Sequence, residues 1–270
     1  MTKRITFFAS YSPSASVPAY VLFHLKALRA FSSRLVFVSN SPISESSRGD
    51  LNAVCDLVVE RSNKGYDFGA WRDVILAERM NDWDEVLLTN SSVVGPLFDL
   101  SPLFEDMQSR PCDFWGLTHS VNIRPHIQSY FVCFRRRLTT APVWEEFWRG
   151  VDDKLNKRQV IRKYEVQFKT IFESHGFVGD TYLPQMRKSG MERVFFRRLN
   201  TALPLFVVLD KNQTNPTIHS PLELIENGLP YLKASLLWGH NRRQPFPLKK
   251  IMALKNVDYD WSLLGLDPRR

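Results

Sequence analysis

Along the first ninety residues, continuous apolar runs alternate with stretches of helical spacing. Ile5–Ser10 is a short β-branched and aromatic run that predicts a strand, and Ser12-Pro13-Ser14 breaks it. From Val17 to Phe31 the residues Val21, Leu22, Leu25 and Leu28 recur at helical intervals. Arg34–Asn40 carries Leu35-Val36-Phe37-Val38 between polar ends, Ser44–Ala53 reads as polar helix or loop, and Leu57–Glu60 reads as a third strand. Gly69–Met80 has helical spacing, and Glu85–Thr89 reads as a fourth strand. Apolar runs without alternation suit strands covered on both faces of a parallel sheet. The βαβαβαβ order therefore predicts an α/β fold, a doubly wound, mainly parallel sheet flanked by helices with right-handed crossovers.

The second half is more mixed. Asp113–Leu117 and Tyr130–Phe134 read as strands, and Val143–Trp148 and Lys157–Glu173 as helices. Val160, Ile161, Tyr164, Phe168, Ile171 and Phe172 form an apolar stripe on the latter. Asp210–Ser220 reads as a loop, followed by a short helix over Ser220–Asn227 that Ser220-Pro221 caps and Gly228 stops. No repeat, linker or composition break appears, so residues 1–270 read as one domain with halves 1–110 and 111–270.

Composition narrows the class. With 44% apolar residues, 19 Phe and 7 Trp, the chain holds material for a large core and is not disordered. No apolar run approaches the roughly 20 residues that span a bilayer, and Met1–Phe8 reads as the start of a strand rather than a leader, which predicts a cytoplasmic protein. Cys55, Cys112 and Cys133 are odd in number and widely spaced, so they predict neither a disulfide framework nor a zinc knuckle but small buried apolar residues. Thirty-six Lys and Arg against 28 acids give a net charge of +8. The clusters are short: Arg135-Arg136-Arg137, Arg197-Arg198, Arg242-Arg243, Lys249-Lys250 and Arg269-Arg270. No nucleic-acid-binding motif accompanies them, so nucleic acid is not an expected partner. Solvated surface, attraction to an anionic membrane face, or an acidic small substrate remain as readings.

In open α/β sheets ligands sit outside the carboxyl ends of the strands, which directs attention to the loops after Ser10, Glu60 and Thr89. Between the third strand and the next helix stands Asn63-Lys64-Gly65-Tyr66-Asp67-Phe68-Gly69-Ala70-Trp71. Gly65 permits a tight turn and Gly69 a close helix approach. Asp67 is suited to accept hydrogen bonds from a base or ribose, with Lys64 near a phosphate; the plain alternative makes Asp67 a helix N-cap. Asn90, Ser91 and Ser92 end the fourth strand without a carboxylate, and Asp99 lies past Gly95-Pro96. This is either a diphosphate-facing turn or an ordinary strand end. His119, His126, Gln128 and Ser129 fall in a polar stretch between two strands, at a spacing that is no zinc signature; they line a substrate groove or cap loops. Glu165 sits among core-facing residues, where partial burial would raise its pKa and fit it for general-base work. The alternative is a salt bridge to Arg162 or Lys169.

Several segments together resemble the rhamnan synthesis protein F family. They are Asn63–Trp71, Leu87–Leu97, Asp113–Thr118, His126–Phe131, Val160–Glu165, Asn215-Pro216-Thr217 and Pro230-Tyr231-Leu232-Lys233, spread over residues 5 to 240. The resemblance implies a GT-A-like inverting glycosyltransferase that moves rhamnose or a related sugar from a dTDP-type donor onto a cell-surface polysaccharide such as O-antigen, capsule or rhamnan. On that basis Asn63, Lys64, Gly65, Asp67, Asn90, Ser91 and Ser92 would bind the donor, in the half 1–110. His126, Gln128 and Ser129 would line the acceptor side, in the half 111–270, and Glu165 would be the catalytic base. The implied partners are a nucleotide sugar and a lipid-linked glycan acceptor at the inner membrane face. The implied cofactor is Mg²⁺ or Mn²⁺, but Ser91 stands where the family commonly has Asp. That departure leaves room for metal-independent chemistry, with Lys64, Lys211, His240 or Arg242 offsetting the diphosphate charge, or for a non-catalytic nucleotide- or glycan-binding module.

Overall fold

The computed structural model describes residues 2–183, 215–238 and 248–265. The strands are β1 (Arg4–Ser10), β2 (Arg34–Ser39), β3 (Leu57–Glu60), β4 (Glu85–Asn90), β5 (Val93–Val94), β6 (Phe114–Gly116), β7 (His119–Ser120), β8 (His126–Ile127), β9 (Phe131–Arg135), β10 (Gly179–Thr181) and β11 (Leu232–Lys233). Seven of them form one sheet in the order β10-β6-β9-β4-β1-β2-β3. β1 pairs parallel with β2 and β4, and β2 with β3. β9 enters antiparallel between β4 and β6, and β10 lies parallel to β6. The expected α/β fold with a mainly parallel sheet is therefore present. Every residue of β1 and β4 is buried, as uninterrupted apolar runs require.

Helices cover both faces, with α2 (Glu45–Asn52) following β2 and α5 (Arg136–Thr139) following β9. On one side α3 (Tyr66–Ile75), α6 (Pro142–Arg149) and α8 (Phe168–Ser174) bring Trp71, Trp144, Trp148 and Phe172 onto Ile5, Phe7 and Val86. On the other, α1 (Ala19–Arg29) and α4 (Ser101–Ser109) bury Leu25, Leu28, Phe104 and Met107 against Phe8, Phe37 and Leu87. A third apolar cluster joins Val94 and Leu97 to Ile225, Leu232, Leu237, Ile251 and Tyr259, and so lays the C-terminal segments across the turn after β4. Cys55, Cys112 and Cys133 are buried and free.

Local chemistry moved several boundaries. α3 starts at Tyr66 rather than Gly69 because Gly65 adopts φ +70° and serves as N-cap without a side-chain bond. The helix predicted over Lys157–Glu173 is three pieces: α7 (Lys157–Val160), a π-turn at Ile161–Glu165, and α8. The stripe survives the break, since Val160, Tyr164, Phe168 and Phe172 remain buried. α4 was not predicted; Asp99 Oδ1 accepts from the Ser101 amide at 3.0 Å just before it. Within the expected loop Asp210–Ser220, residues 210–214 lie outside the described residues, and Pro216–His219 is a short helix started by Asn215. Ser220 makes no side-chain cap to the helix Pro221–Glu226. Gly228 does stop that helix: at φ +94° it donates to Ile225 O, while Leu229 N donates to Leu224 O, both at 2.9 Å.

The Arg135–Arg137 cluster is not a free cationic patch. Arg135 donates to the Arg110 and Cys112 carbonyls, Arg136 pairs with Asp84 at 2.9 Å, and Arg137 pairs with Asp113 at 2.5 Å. Lys249 and Lys250 are exposed. Arg197-Arg198, Arg242-Arg243 and Arg269-Arg270 lie outside the described residues. Among the described residues no helix is long and apolar enough to cross a membrane.

Candidate functional site

The carboxyl ends of β1, β3 and β4 share one edge of the sheet. There the chain from Arg61 to Gly69 makes a tight entry into α3. Arg61 fixes it with three contacts, to Asp73 at 2.8 Å, Asn40 at 2.6 Å and the Lys64 carbonyl at 2.9 Å. Gly69 is required: a Cβ there would stand 2.3 Å from the Lys64 carbonyl oxygen. Tyr66, also at positive φ (53°), follows Gly65, and Asp67 falls in the first turn. It is not the N-cap. Its Oδ2 accepts from Asn90 Nδ2 at 3.0 Å, joining the entry to α3 with the end of β4.

Asn90 organises the next turn through its other end, where Oδ1 accepts from the Ser92 amide at 3.1 Å and hydroxyl at 2.5 Å. The Ser91 carbonyl accepts from the Tyr20 hydroxyl at 3.0 Å. β5 then pairs with β11, setting Lys233 opposite Val93. Ala234 N donates to Ser92 O at 2.9 Å and Leu97 N to Pro230 O at 2.7 Å. Gly95 permits this closeness, because a Cβ there would lie 2.5 Å from the Pro230 carbonyl. Lys233 Nζ stands 3.2 Å from Ser92 Oγ and 4.4 Å from the centre of the Tyr130 ring.

Glu165 reaches the same region from the π-turn. Such turns are frequent at functional sites, and this one is clamped by the Tyr164 hydroxyl, which donates to Gly150 O at 3.0 Å and accepts from Asp152 N at 2.7 Å. Glu165 Oε2 accepts from Ser129 Oγ at 2.7 Å, and His126 Nε2 faces Oε1 at 3.7 Å. Of the two alternative partners, Lys169 pairs with Glu173, and Arg162 makes no ion pair with Glu165. The Glu165 side chain keeps 22% of its surface exposed, so its carboxylate is reachable. Gln128 is turned elsewhere: Oε1 accepts from Thr118, and Nε2 donates to Asn215 at 3.2 Å. It ties β8 to the Asn215-Pro216-Thr217 segment.

Asp67, Glu165, Lys233 and Lys157 thus form one interacting charge cluster. Burial pushes the Asp67 carboxyl up to about 6, against the pull of Lys157 and Lys233. The expectation that Glu165 is also raised is wrong. Burial acts in that direction, but His126, Ser129 and the Lys233 charge outweigh it and hold the carboxyl below its ordinary value. Burial lowers Lys233 to about 8, with Glu165 and Asp67 opposing. Lys233 and Lys157 were not among the sequence candidates; the only signal was the Pro230–Lys233 segment. Lys64 has an exposed side chain and contributes its carbonyl to the turn, while Asn63 lies beside it in the loop. Lys211, His240 and Arg242 lie outside the described residues.

A hard divalent ion takes oxygen ligands and normally a carboxylate. The turn after β4 offers none: both ends of Asn90 are engaged, and Asp99 is committed to Ser101. Among the described residues no group of three or more His, Cys, Asp or Glu is arranged to hold a metal. Among the described residues the donor set of this turn does not fit Mg²⁺ or Mn²⁺.

Known proteins can be set beside this geometry. Over 180 residues the chain is 28% identical to the protein y4gN of Sinorhizobium fredii, a match covering 64% of this chain and 47% of the relative, so the chain spans about half of that protein's length. It is 28% identical over 214 residues to the virulence protein VirA of Vibrio anguillarum, covering 75% of this chain and 69% of the relative. A cytidylyltransferase structure from Leptospira borgpetersenii superposes with a TM-score of 0.39 at 12% identity, over 84% of this chain and 94% of that one. The pattern of rhamnan synthesis protein F matches residues 35–265, well over half of the sequence, and the chain belongs to that family.

Proposed function

We propose that this chain is a polysaccharide glycosyltransferase of GT-A-like build. More finely, it would be an inverting rhamnosyltransferase that uses a dTDP-sugar in making O-antigen, capsule or rhamnan-type polymer. The observation that carries the reading is the meeting of Asp67, Asn90, Lys233 and Glu165 at the carboxyl edge of a parallel sheet, the place where such folds bind ligands. Family membership supports the polymer class. In this reading the half containing residues 63–67 and 90–92 takes the donor, and the half after residue 110 takes the acceptor. Asp67 and Asn90 hold the nucleoside portion, and the Ser91-Ser92 turn meets the diphosphate. Gln128 sets the wall against which the acceptor lies.

Glu165 then acts as base. Its low pKa keeps it ionised at neutral pH, ready to accept the proton of an acceptor hydroxyl. As that oxygen attacks the anomeric carbon, the bond to the nucleoside diphosphate breaks and the configuration inverts. Ser129 and His126 hold the carboxylate in place. Docking on the inner membrane face would rest on exposed Lys249 and Lys250 together with basic residues outside the described part; sedimentation with anionic vesicles tests it. The activity is tested by transfer from dTDP-rhamnose to a lipid-linked glycan acceptor, in wild type and Glu165→Gln. Product with wild type and its loss in the variant support the proposal. A protein that binds nucleotide yet neither transfers nor hydrolyses the donor is a binding module instead, the reading that Ser91 motivates.

A further inference from the structure

The turn after β4 lacks metal ligands, but it does not lack a cation. Lys233 is carried there by the β5–β11 pairing, and its ammonium stands 3.2 Å from Ser92 Oγ. Nζ is backed by the Tyr130 ring, itself only 2% exposed. An ammonium has three N–H donors. Among the described residues no carboxylate stands within ion-pairing distance of this one, so a single neutral hydroxyl is its hydrogen-bond partner. Among the described residues two of its donors therefore have no protein acceptor and are available to an incoming group. Lys157, exposed on α7, adds a second positive charge whose field reaches both Asp67 and Lys233. A fixed ammonium at this turn repels a dication and attracts a dianion.

We propose that the site binds a nucleoside diphosphate without a divalent cation, and that Lys233 supplies the positive charge that takes the diphosphate oxygens. The inference rests on the donor-site reading above. A lysine delivered from a distant strand stands where a carboxylate-plus-metal arrangement would otherwise be needed.

Calorimetric titration of dTDP, UDP and the matching nucleosides separates the cases. The proteins are wild type, Lys233→Met and Lys233→Arg, each in EDTA and in excess MnCl₂. The expected wild-type Kd for the better diphosphate changes by less than about twofold between the two buffers. Lys233→Met weakens that diphosphate by about tenfold or more, the value of a charge-assisted hydrogen bond, while the nucleoside loses less than about threefold. Lys233→Arg keeps most of the diphosphate affinity, which removes misfolding as an explanation. Wild-type binding that appears only with Mn²⁺, or a Lys233→Met protein that binds like wild type, overturns the proposal and leaves the donor site standing. If folded wild type binds no nucleoside diphosphate in either buffer, the donor-site reading falls, and this inference with it.

Discussion

The two ends of β1 and β4 treat charge in opposite ways. At the amino end Arg4 donates to Glu85 through Nε at 2.9 Å and Nη2 at 2.5 Å, gives its remaining arm to the Phe31 carbonyl at 2.7 Å, and lies over the Phe104 ring. All three guanidinium nitrogens of Arg4 donate to an acceptor, and both side chains are buried. At the carboxyl end Asp67, Glu165 and Lys233 are close enough to shift one another, yet none is locked in a bidentate pair. Asp67 is pushed up to about 6 and Lys233 down to about 8. Burial without full pairing is unfavourable for folding. A chain keeps such an arrangement where a ligand completes it. One end of the strands is closed by a buried ion pair, and the other, the proposed binding end, is not.

Breaking each end should therefore give a different kind of loss. The largest expected effect on catalysis is Glu165→Gln, which removes the proposed base and should lower kcat by about 10²–10⁴-fold, with donor affinity within a few-fold of wild type in a direct titration. The largest effect on stability is Glu85→Ala, which leaves Arg4 buried and unpaired and should lower the unfolding free energy by about 3–5 kcal/mol in urea, with donor affinity of the folded protein unchanged.

Asp67→Asn should move the two properties in opposite directions. A carboxyl raised to about 6 in the fold, against 3.8 unfolded, favours folding at low pH, and that contribution is lost as pH rises through 6. At pH 8 the ionised group opposes folding, so the amide should stabilise by roughly 1–2 kcal/mol, the full shift being discounted for partial exposure. The gain in Tm should shrink as the pH is lowered toward 4, and donor affinity should fall at every pH. An equal gain at all pH values would contradict the assignment. The smallest effect is Tyr164→Phe. It removes the clamp at Gly150 and Asp152, costing about 1 kcal/mol in thermal unfolding and loosening the π-turn. Loss of kcat with little change in KM would mark it as positioning Glu165.

The framework was readable because uninterrupted apolar runs mark parallel strands, and β1 to β4 fall within a residue or two of those runs, although β3 at the sheet edge has no buried residue. Asp67 and Asn90 could be located for the same reason, since they follow such strands. Their mutual bond could not, because it joins residues 23 apart through a turn that Gly65 starts three residues earlier than helical spacing implies. Glu165 offered local partners in Arg162 and Lys169, and the fold chose Ser129, 36 residues away. Its pKa direction depended on that choice. Lys233 was least legible, because a two-residue strand pairing leaves no periodicity to read. α4 escaped for a related reason: Leu103, Phe104 and Met107 are too few to set a pattern between Pro102 and Pro111.

The contrast between the two ends can be read in one measurement, hydrogen–deuterium exchange of the wild-type chain with and without saturating dTDP-rhamnose. Slower exchange is expected in segments 63–70, 89–95 and 230–235, which meet at the charge cluster, and no change at 2–4 and 83–85 at the opposite end. Slowing confined to the amino end of the strands, or no slowing at the cluster despite measured binding, would contradict it.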